Sequence, residues 1–351
     1  MNRREFLNRS LTGGVIAVVL PWHSLGNATE PAGISETKGG EIVVERAVFI
    51  MGTVVRITVY ARSEEQALAA TSKAFSEIRR LDQLLSVYRL DSDISRINRA
   101  AGDHAAPVHP EVVGLLKSAM GLSTATCGAL DITIEPLMRL WGFRESGDPR
   151  RHIPTDSEIA RTLDRVGLQN LMLDGNANTA GLARRGACLD LGGIAVGYAV
   201  DRAAEILKEC GIQRAFINHS GDAYALGAPP DTDGWEVVIP HPSKHGESIL
   251  SMRLRDRAIS TSGNYEKFVL LDGIQQGHIL DPRTGTPGNG LLGISVTAPR
   301  AITADALSTG FFCLSTDRLA YSIQQTPDIE AVCVSRGSND TLVRHLRSKP
   351  S

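Results

Sequence analysis

The sequence is poor in cysteine and shows no pattern in the few it has. Cys127, Cys188, Cys210, Cys313 and Cys333 form no C-x-x-C pair and are odd in number, which argues against a disulfide-stapled miniprotein and against a cysteine metal site. An excess of one charge is lacking too. With 37 basic and 39 acidic residues the formal net charge is −2, so nothing attracts nucleic acid in bulk. The apolar stretch Leu11 to Leu20 is about half the ~20 residues a helix needs to span a bilayer. No repeat of fixed period is visible, and the spacing around Gly192-Gly193 matches neither G-x-G-x-x-G nor the Walker pattern. The 351 residues are 42% hydrophobic and 22% charged, an ordinary globular composition with ample apolar mass for one large domain or two of average size.

The N-terminus reads differently from the rest. Asn2-Arg3-Arg4-Glu5-Phe6-Leu7 places an arginine pair one residue before Phe-Leu, and the apolar stretch follows. This is the layout of a twin-arginine export signal over residues 1–28, with cleavage near Ala28 and a periplasmic destination. No cysteine precedes Cys127, so no lipid anchor is expected, and the shortness of the apolar stretch makes a transmembrane anchor the weaker reading. Three of the 37 basic and one of the 39 acidic residues lie in this segment, leaving 34 against 38 in the remainder. Twin-arginine export carries folded proteins, so cysteine pairing does not follow from export.

Residues 29–41 form a polar linker with Gly and Pro, and residues 42–348 form the main folded region. Ile42 to Tyr60 is β-branched and alternating with a break at Met51-Gly52-Thr53, which predicts two strands around a tight turn. Apolar spacing predicts helices over Glu64 to Leu85, Pro110 to Thr126, Thr155 to Val166, Val196 to Glu209 and Ala304 to Leu314. The third opens with the capping-box pair Thr155 and Glu158. Leu189 to Gly193 reads as a strand running into a Gly-rich turn, and strands are expected at Ala215 to Asn218, Trp235 to Ile239, Ile249 to Leu254, Phe268 to Leu271 and Gly293 to Thr297. Without regular β-α-β alternation, the class is α+β.

Several segments rich in Gly, Asp, Asn, Ser and Thr lie between apolar strands and read as loops that converge on a ligand. Cys127 to Thr133 is one. Asp190-Leu191-Gly192-Gly193 before a helix lets backbone N–H groups approach a phosphate, although consecutive glycines also make an ordinary turn. At the start of the last predicted helix, Asp305, Ser308 and Thr309 stand at i, i+3 and i+4 and project from one face. One carboxylate with two hydroxyls suits Mg²⁺ rather than zinc; an acidic residue in a first helical turn is equally explained by the helix dipole. His278, before the turn Asp281-Pro282-Arg283-Thr284-Gly285, has the ordinary pKa of a general base and could as readily be structural.

Taken in order, these segments resemble the ApbE family of FAD:protein FMN transferases. The matching marks are Met51-Gly52-Thr53, Tyr88 with Asp91 to Asn98, Gly128 to Thr133, Trp141-Gly142-Phe143, Asp190 to Asp201, Asn218 to Asp222, Thr261 to Phe268, His278 to Pro287 and Ala304 to Thr309. The resemblance covers about residues 45–335 and implies a single α+β catalytic domain related to T-folds, with FAD in a cleft.

The resemblance implies flavin contacts at Met51, Tyr88, Ala129, Leu130, Asp131, Asp190, Val196 and Ile279. It implies Mg²⁺ ligands at Asp305, Ser308 and Thr309 with the carbonyl of Gly193, and a catalytic role for His278, for which Asp281 is the expected orienting partner. Two departures stand out. Val196 replaces a residue that is usually Lys in relatives, and Ser220-Gly221 replaces a glycine pair. The implied reaction moves FMN from FAD to a Thr or Ser hydroxyl of an acceptor flavoprotein and releases AMP. That acceptor would belong to a membrane respiratory complex, either the regulator flavoprotein of nitrous-oxide reduction or an ion-pumping oxidoreductase subunit. FAD hydrolysis to FMN and AMP needs nearly the same site, and a non-catalytic flavin carrier is the alternative of another class.

Overall fold

The computed structural model describes residues 16–18, 32–36, 40–144, 151–244, 246–264, 267–337 and 341–348. Apart from Ile16–Val18, the expected export signal lies outside the described residues, as do residues 29–31 and 37–39 of the linker, whereas Ala32–Glu36 forms a strand antiparallel to Ile42–Ile50. Among the described residues, no helix is long and apolar enough to cross a membrane. The architecture is α+β, with helices interspersed among mainly antiparallel strands.

Backbone contacts divide the chain into two compact units. The first holds Met1–Arg80, Val196–Ser260 and Thr297–Ala304, and the second Leu81–Ala195, Thr261–Val296 and Asp305–Ser351. The chain passes from one to the other five times.

In the first unit, Ile42–Ile50 and Thr53–Ala61 form a hairpin in register from Ile42↔Ala61 to Ile50↔Thr53. Its turn is the expected Met51-Gly52, both at positive φ, 52° and 75°. A methionine there is strained, since only glycine enters the left-handed region without cost. Arg214–His219 joins the hairpin, Asp222–Leu226 pairs with Arg214–His219, and residues 257–259 pair with Asp222–Leu226, all antiparallel. Alternation puts Val55, Ile57 and Val59 at 0% exposure on one face, as the period of a half-buried strand requires. Trp235 is fully buried against Tyr60 and Phe216, with centroids 5.8 and 5.5 Å away. Ile16–Val18 runs parallel to Trp235–Pro240.

In this unit the buried Asp201, in the helix Ala195–Glu209, accepts hydrogen bonds from the backbone N–H groups of Ala301 (2.6 Å) and Ile302 (3.1 Å). It thereby caps the helix Ala301–Phe312, satisfying two of the donors that a helix start leaves unpaired.

The second unit packs helices Asp93–Arg99, Pro110–Ala125, Glu135–Leu140, Asp156–Leu163 and Thr316–Gln325 with short strand pairs. Leu137, Met138, Trp141, Ile159, Val166, Leu271 and Leu280 form one of its cores, and Trp141 Nε1 donates to the carbonyl of Gly285 at 2.7 Å. Thr155 and Glu158 make the expected reciprocal capping box.

Two expectations need correction. Leu189 to Gly193 has the expected turn at Gly192-Gly193 but no strand leading into it: Asp190 N–H donates to Ile132 (2.7 Å) and Gly192 N–H to the Asp190 carboxylate (2.7 Å). That side chain offers the backbone a local partner in place of a ladder. The last long helix begins at Ala301, three residues earlier than expected, so Asp305 lies past the first turn. The helix dipole, which falls off within that turn, therefore does not account for its placement.

Candidate active site

Most of the expected site residues fall in the second unit. Two do not: Met51, at its strained turn, and Val196, a half-buried neutral residue near the start of Ala195–Glu209, belong to the first.

In the second unit, three expected segments meet. Gly310 allows the helix Ala301–Phe312 to approach the buried Thr126, because a Cβ at Gly310 would lie 2.5 Å from the Thr126 methyl. The Thr126 hydroxyl donates back into its own helix, to Ser123 at 3.0 Å, and accepts from Leu130 N–H at 3.1 Å. Ala129 and Leu130 are thereby buried beside the helix. Gly193 closes the group: a Cβ there would stand 3.2 Å from Leu130 Cδ1 and 3.2 Å from Thr309 Oγ1. The absence of a side chain at Gly193 leaves its backbone open to the Thr309 hydroxyl.

Asp305 is 4% exposed and Ser308 fully buried, whereas Thr309 is partly exposed. The Ser308 hydroxyl is already engaged, donating to the Asp305 carbonyl at 3.0 Å and paired with Ser262 Oγ at 2.9 Å. Of the expected oxygen donors, the structure brings Gly193 against the Thr309 side chain, and Asp305 stands about one helical turn before Thr309, with Ser308 between them paired to Ser262. This set fits a hard cation such as Mg²⁺, which prefers few carboxylates and keeps water or phosphate in its shell. Among the described residues no cluster of three His, Cys, Asp or Glu side chains could hold a softer metal, and all five cysteines are free.

Asp131 acts on its own loop. Its carboxylate accepts from Thr133 N–H (2.7 Å), the Thr133 hydroxyl (2.6 Å) and Leu168 N–H (3.1 Å). Burial raises its pKa despite these bonds. Leu189, just before Asp190, is held on both backbone groups by Asn98, through bonds of 3.0 and 2.6 Å. Asn98 lies in a segment that carried the resemblance, yet its role shows only when Leu189 is folded against it.

His278 is partly exposed and follows the hairpin Phe268–Leu271 with Ile274–Gly277. Its Nδ1 lies 3.1 Å from the carbonyl of Lys267. A carbonyl only accepts, so Nδ1 carries the proton and Nε2 is left with the lone pair. Burial, then the Lys267 cation, push the imidazole pKa down to about 4, with a smaller push from Arg144. The ring is neutral at pH 7 and able to accept a proton at Nε2. Asp281 does not orient it, contrary to expectation. That carboxylate is taken up by Arg283, in bonds of 2.8 and 2.6 Å to the guanidinium and 2.9 Å to its backbone N–H, the paired geometry arginine favours. Ile279 beside it is buried and Tyr88 is 74% exposed, an aromatic ring open to a planar ligand.

A model of the ApbE family matches residues 51–333. The FAD:protein FMN transferase of Salmonella typhimurium is 32% identical over 272 residues, 76% of this chain and 77% of that protein. A protein of the same name from Klebsiella pneumoniae is 30% identical over 312 residues, covering 88% and 95%. Among solved structures, flavin transferase ApbE from Vibrio cholerae superposes with a TM-score of 0.78 at 27% identity, over 87% of this chain and 97% of that one. The apo flavinyl transferase ApbE of Pseudomonas stutzeri gives 0.77 at 29% identity, over 87% and 95%.

Proposed function

The chain belongs to the ApbE family, and from that premise we propose that it transfers FMN from FAD to a Thr or Ser hydroxyl of an acceptor flavoprotein, with Mg²⁺ bound and AMP released. The observation that carries this reading is the close approach of Gly193 to Thr309, about one helical turn beyond the buried Asp305. The acceptor oxygen forms a bond to the phosphorus of the FMN half, the bond from that phosphorus to the AMP half breaks, and AMP leaves. Phosphoryl transfer of this kind asks for positioning and charge neutralisation, with no covalent intermediate on the enzyme.

Asp305, Thr309 and the Gly193 carbonyl would hold Mg²⁺, which when bound supplies neutralisation of the pyrophosphate charge. His278 takes the acceptor proton at Nε2, its ring fixed by the Lys267 carbonyl. An anionic substrate nearby raises its low pKa, which strengthens it as a base when the site is filled. Tyr88 offers its exposed ring to the isoalloxazine. Arg3 and Arg4 support export by the twin-arginine route and action in the periplasm, on a flavoprotein of a membrane respiratory complex.

The test is to incubate the protein with FAD, Mg²⁺ and candidate acceptors and to follow the covalent FMN mass increment together with AMP. Mass increment with equimolar AMP is expected. AMP and free FMN without an increment means hydrolysis, and tight FAD binding without AMP means a carrier. Asp305→Ala is expected to lower the rate about 10³-fold and to abolish its response to Mg²⁺.

A further inference from the structure

Arg144 was not among the residues the sequence singled out, yet several that were surround it within the second unit. Its guanidinium carbon lies 5.4 Å from the centroid of the Tyr88 ring, inside the range of a cation–π contact. One terminal nitrogen is ion-paired with the Asp190 carboxylate, and Nε lies 3.6 Å from Glu135 Oε2. Glu135 also accepts from Arg139 Nε at 2.8 Å.

The group is buried: the side chains of Arg144, Asp190 and Glu135 are 16%, 6% and 3% exposed. Glu135 Oε2, Arg144 Nε and Asp190 Oδ2 are closed off from solvent and have their partners within the group, in the two ion pairs of Arg144. Two guanidiniums and two carboxylates neutralise each other here, so the network is not held together by excess charge. What it does hold is one face of an otherwise exposed tyrosine.

We propose that Arg144 is a flavin-positioning residue: anchored by Asp190 and Glu135, its guanidinium backs the Tyr88 ring and presents the opposite face of that ring to the isoalloxazine of FAD. An exposed tyrosine without such backing samples several rotamers, and binding a planar ligand would then cost the entropy of choosing one. The planar guanidinium suits this role better than an ammonium, since it can stack and pair at once. Arg144 also adds to the cationic field that lowers the His278 pKa, which links the flavin-receiving face to the base. This inference rests on the transferase reading for the identity of the ligand.

The test titrates FAD into wild type, Arg144→Met, Arg144→Lys, Tyr88→Ala and the Tyr88→Ala/Arg144→Met double variant, following the visible difference spectrum of the bound flavin without any acceptor. Arg144→Met is expected to weaken FAD binding about tenfold and to diminish the difference spectrum per bound flavin. Arg144→Lys, which keeps the charge but not the plane, is expected to recover about half of that loss on a logarithmic scale. The double variant is expected to bind within about twofold of Tyr88→Ala alone, because the arginine acts through the ring. Binding of Arg144→Met within about twofold of wild type, an unchanged spectrum, or losses that multiply in the double variant would each overturn the proposal. Wild type that binds FAD but flavinylates no acceptor overturns the transferase reading alone, and the titrations still decide the role of Arg144. Wild type that binds no FAD overturns both.

Discussion

Two histidines at hairpin ends, one in each unit, are pushed to the same low pKa of about 4, mainly by burial. His219 ends the strand Arg214–His219 and faces Asp222 across the hairpin. It is fully buried, neither ring nitrogen makes a hydrogen bond of good geometry, and only the Ile50 backbone opposes the effect of burial. His278 is partly exposed, has one ring nitrogen committed to the Lys267 carbonyl, and feels the cations Lys267 and Arg144. A displaced pKa therefore does not separate the histidine proposed as a base from a packed one. Access to a ring nitrogen and a fixed tautomer do.

The contrast breaks most visibly in activity. His278→Ala is expected to slow FMN transfer by about 10²–10⁴-fold, the usual contribution of a general base, while FAD binding persists. His219→Leu is expected to leave transfer within about twofold, since it exchanges an unpaired buried ring for an apolar side chain. Quantitative mass spectrometry of an acceptor peptide measures both, and equal losses would erase the distinction. Next in size is Gly310→Ala in the second unit, where the added Cβ would meet Thr126 at 2.5 Å. Overpacking of this kind costs about 1–3 kcal/mol, read as a lower Tm, and it should slow transfer as well because Thr126 holds Leu130.

The smallest effects lie in the pH dependence of stability, and they carry opposite signs. The folded pKa of His219 is below its unfolded value of 6.5. Its contribution is thus complete above 6.5 and is lost as pH falls toward 4, where the unfolded chain binds the extra proton. His219→Leu should flatten that part of the Tm profile. Asp222 is displaced upward by burial, to about 7, against the pull of the Ser260 hydroxyl. Its contribution is present at low pH and is lost as pH rises from 3.8 through 7. Asp222→Asn should remove that loss and gain on wild type across the same interval.

Much of the second unit's chemistry was legible because it is local. Asp305, Ser308 and Thr309 share a helix face at any tertiary arrangement, and the capping box at Thr155 and Glu158 is complete within four residues. Strands were legible from their β-branched content, as in Thr53–Ala61, which is buried throughout from Ile57 onward. The helices Asp93–Arg99, Glu135–Leu140 and Thr316–Gln325 are short, and their apolar spacing completes too few turns to stand out. Arg144 was illegible for another reason: Tyr88, Glu135 and Asp190 meet it from widely separated stretches of chain. Asp281 misled because its partner, Arg283, is two residues away in a turn, where composition signals the turn but not the ion pair.

The cap that Asp201 places on Ala301 and Ile302 also works as an index mark. An α-helix turns about 100° and rises about 1.5 Å with each residue, so fixing where the helix starts fixes the azimuth of every side chain along it. Inserting a single residue between Ile302 and Asp305 would swing the carboxylate through that angle even if the helix itself remained intact. The phase of the Asp305 carboxylate, the proposed metal ligand, is thus set by where the helix starts, and a deletion or insertion there should be far less tolerated than any substitution at the same positions.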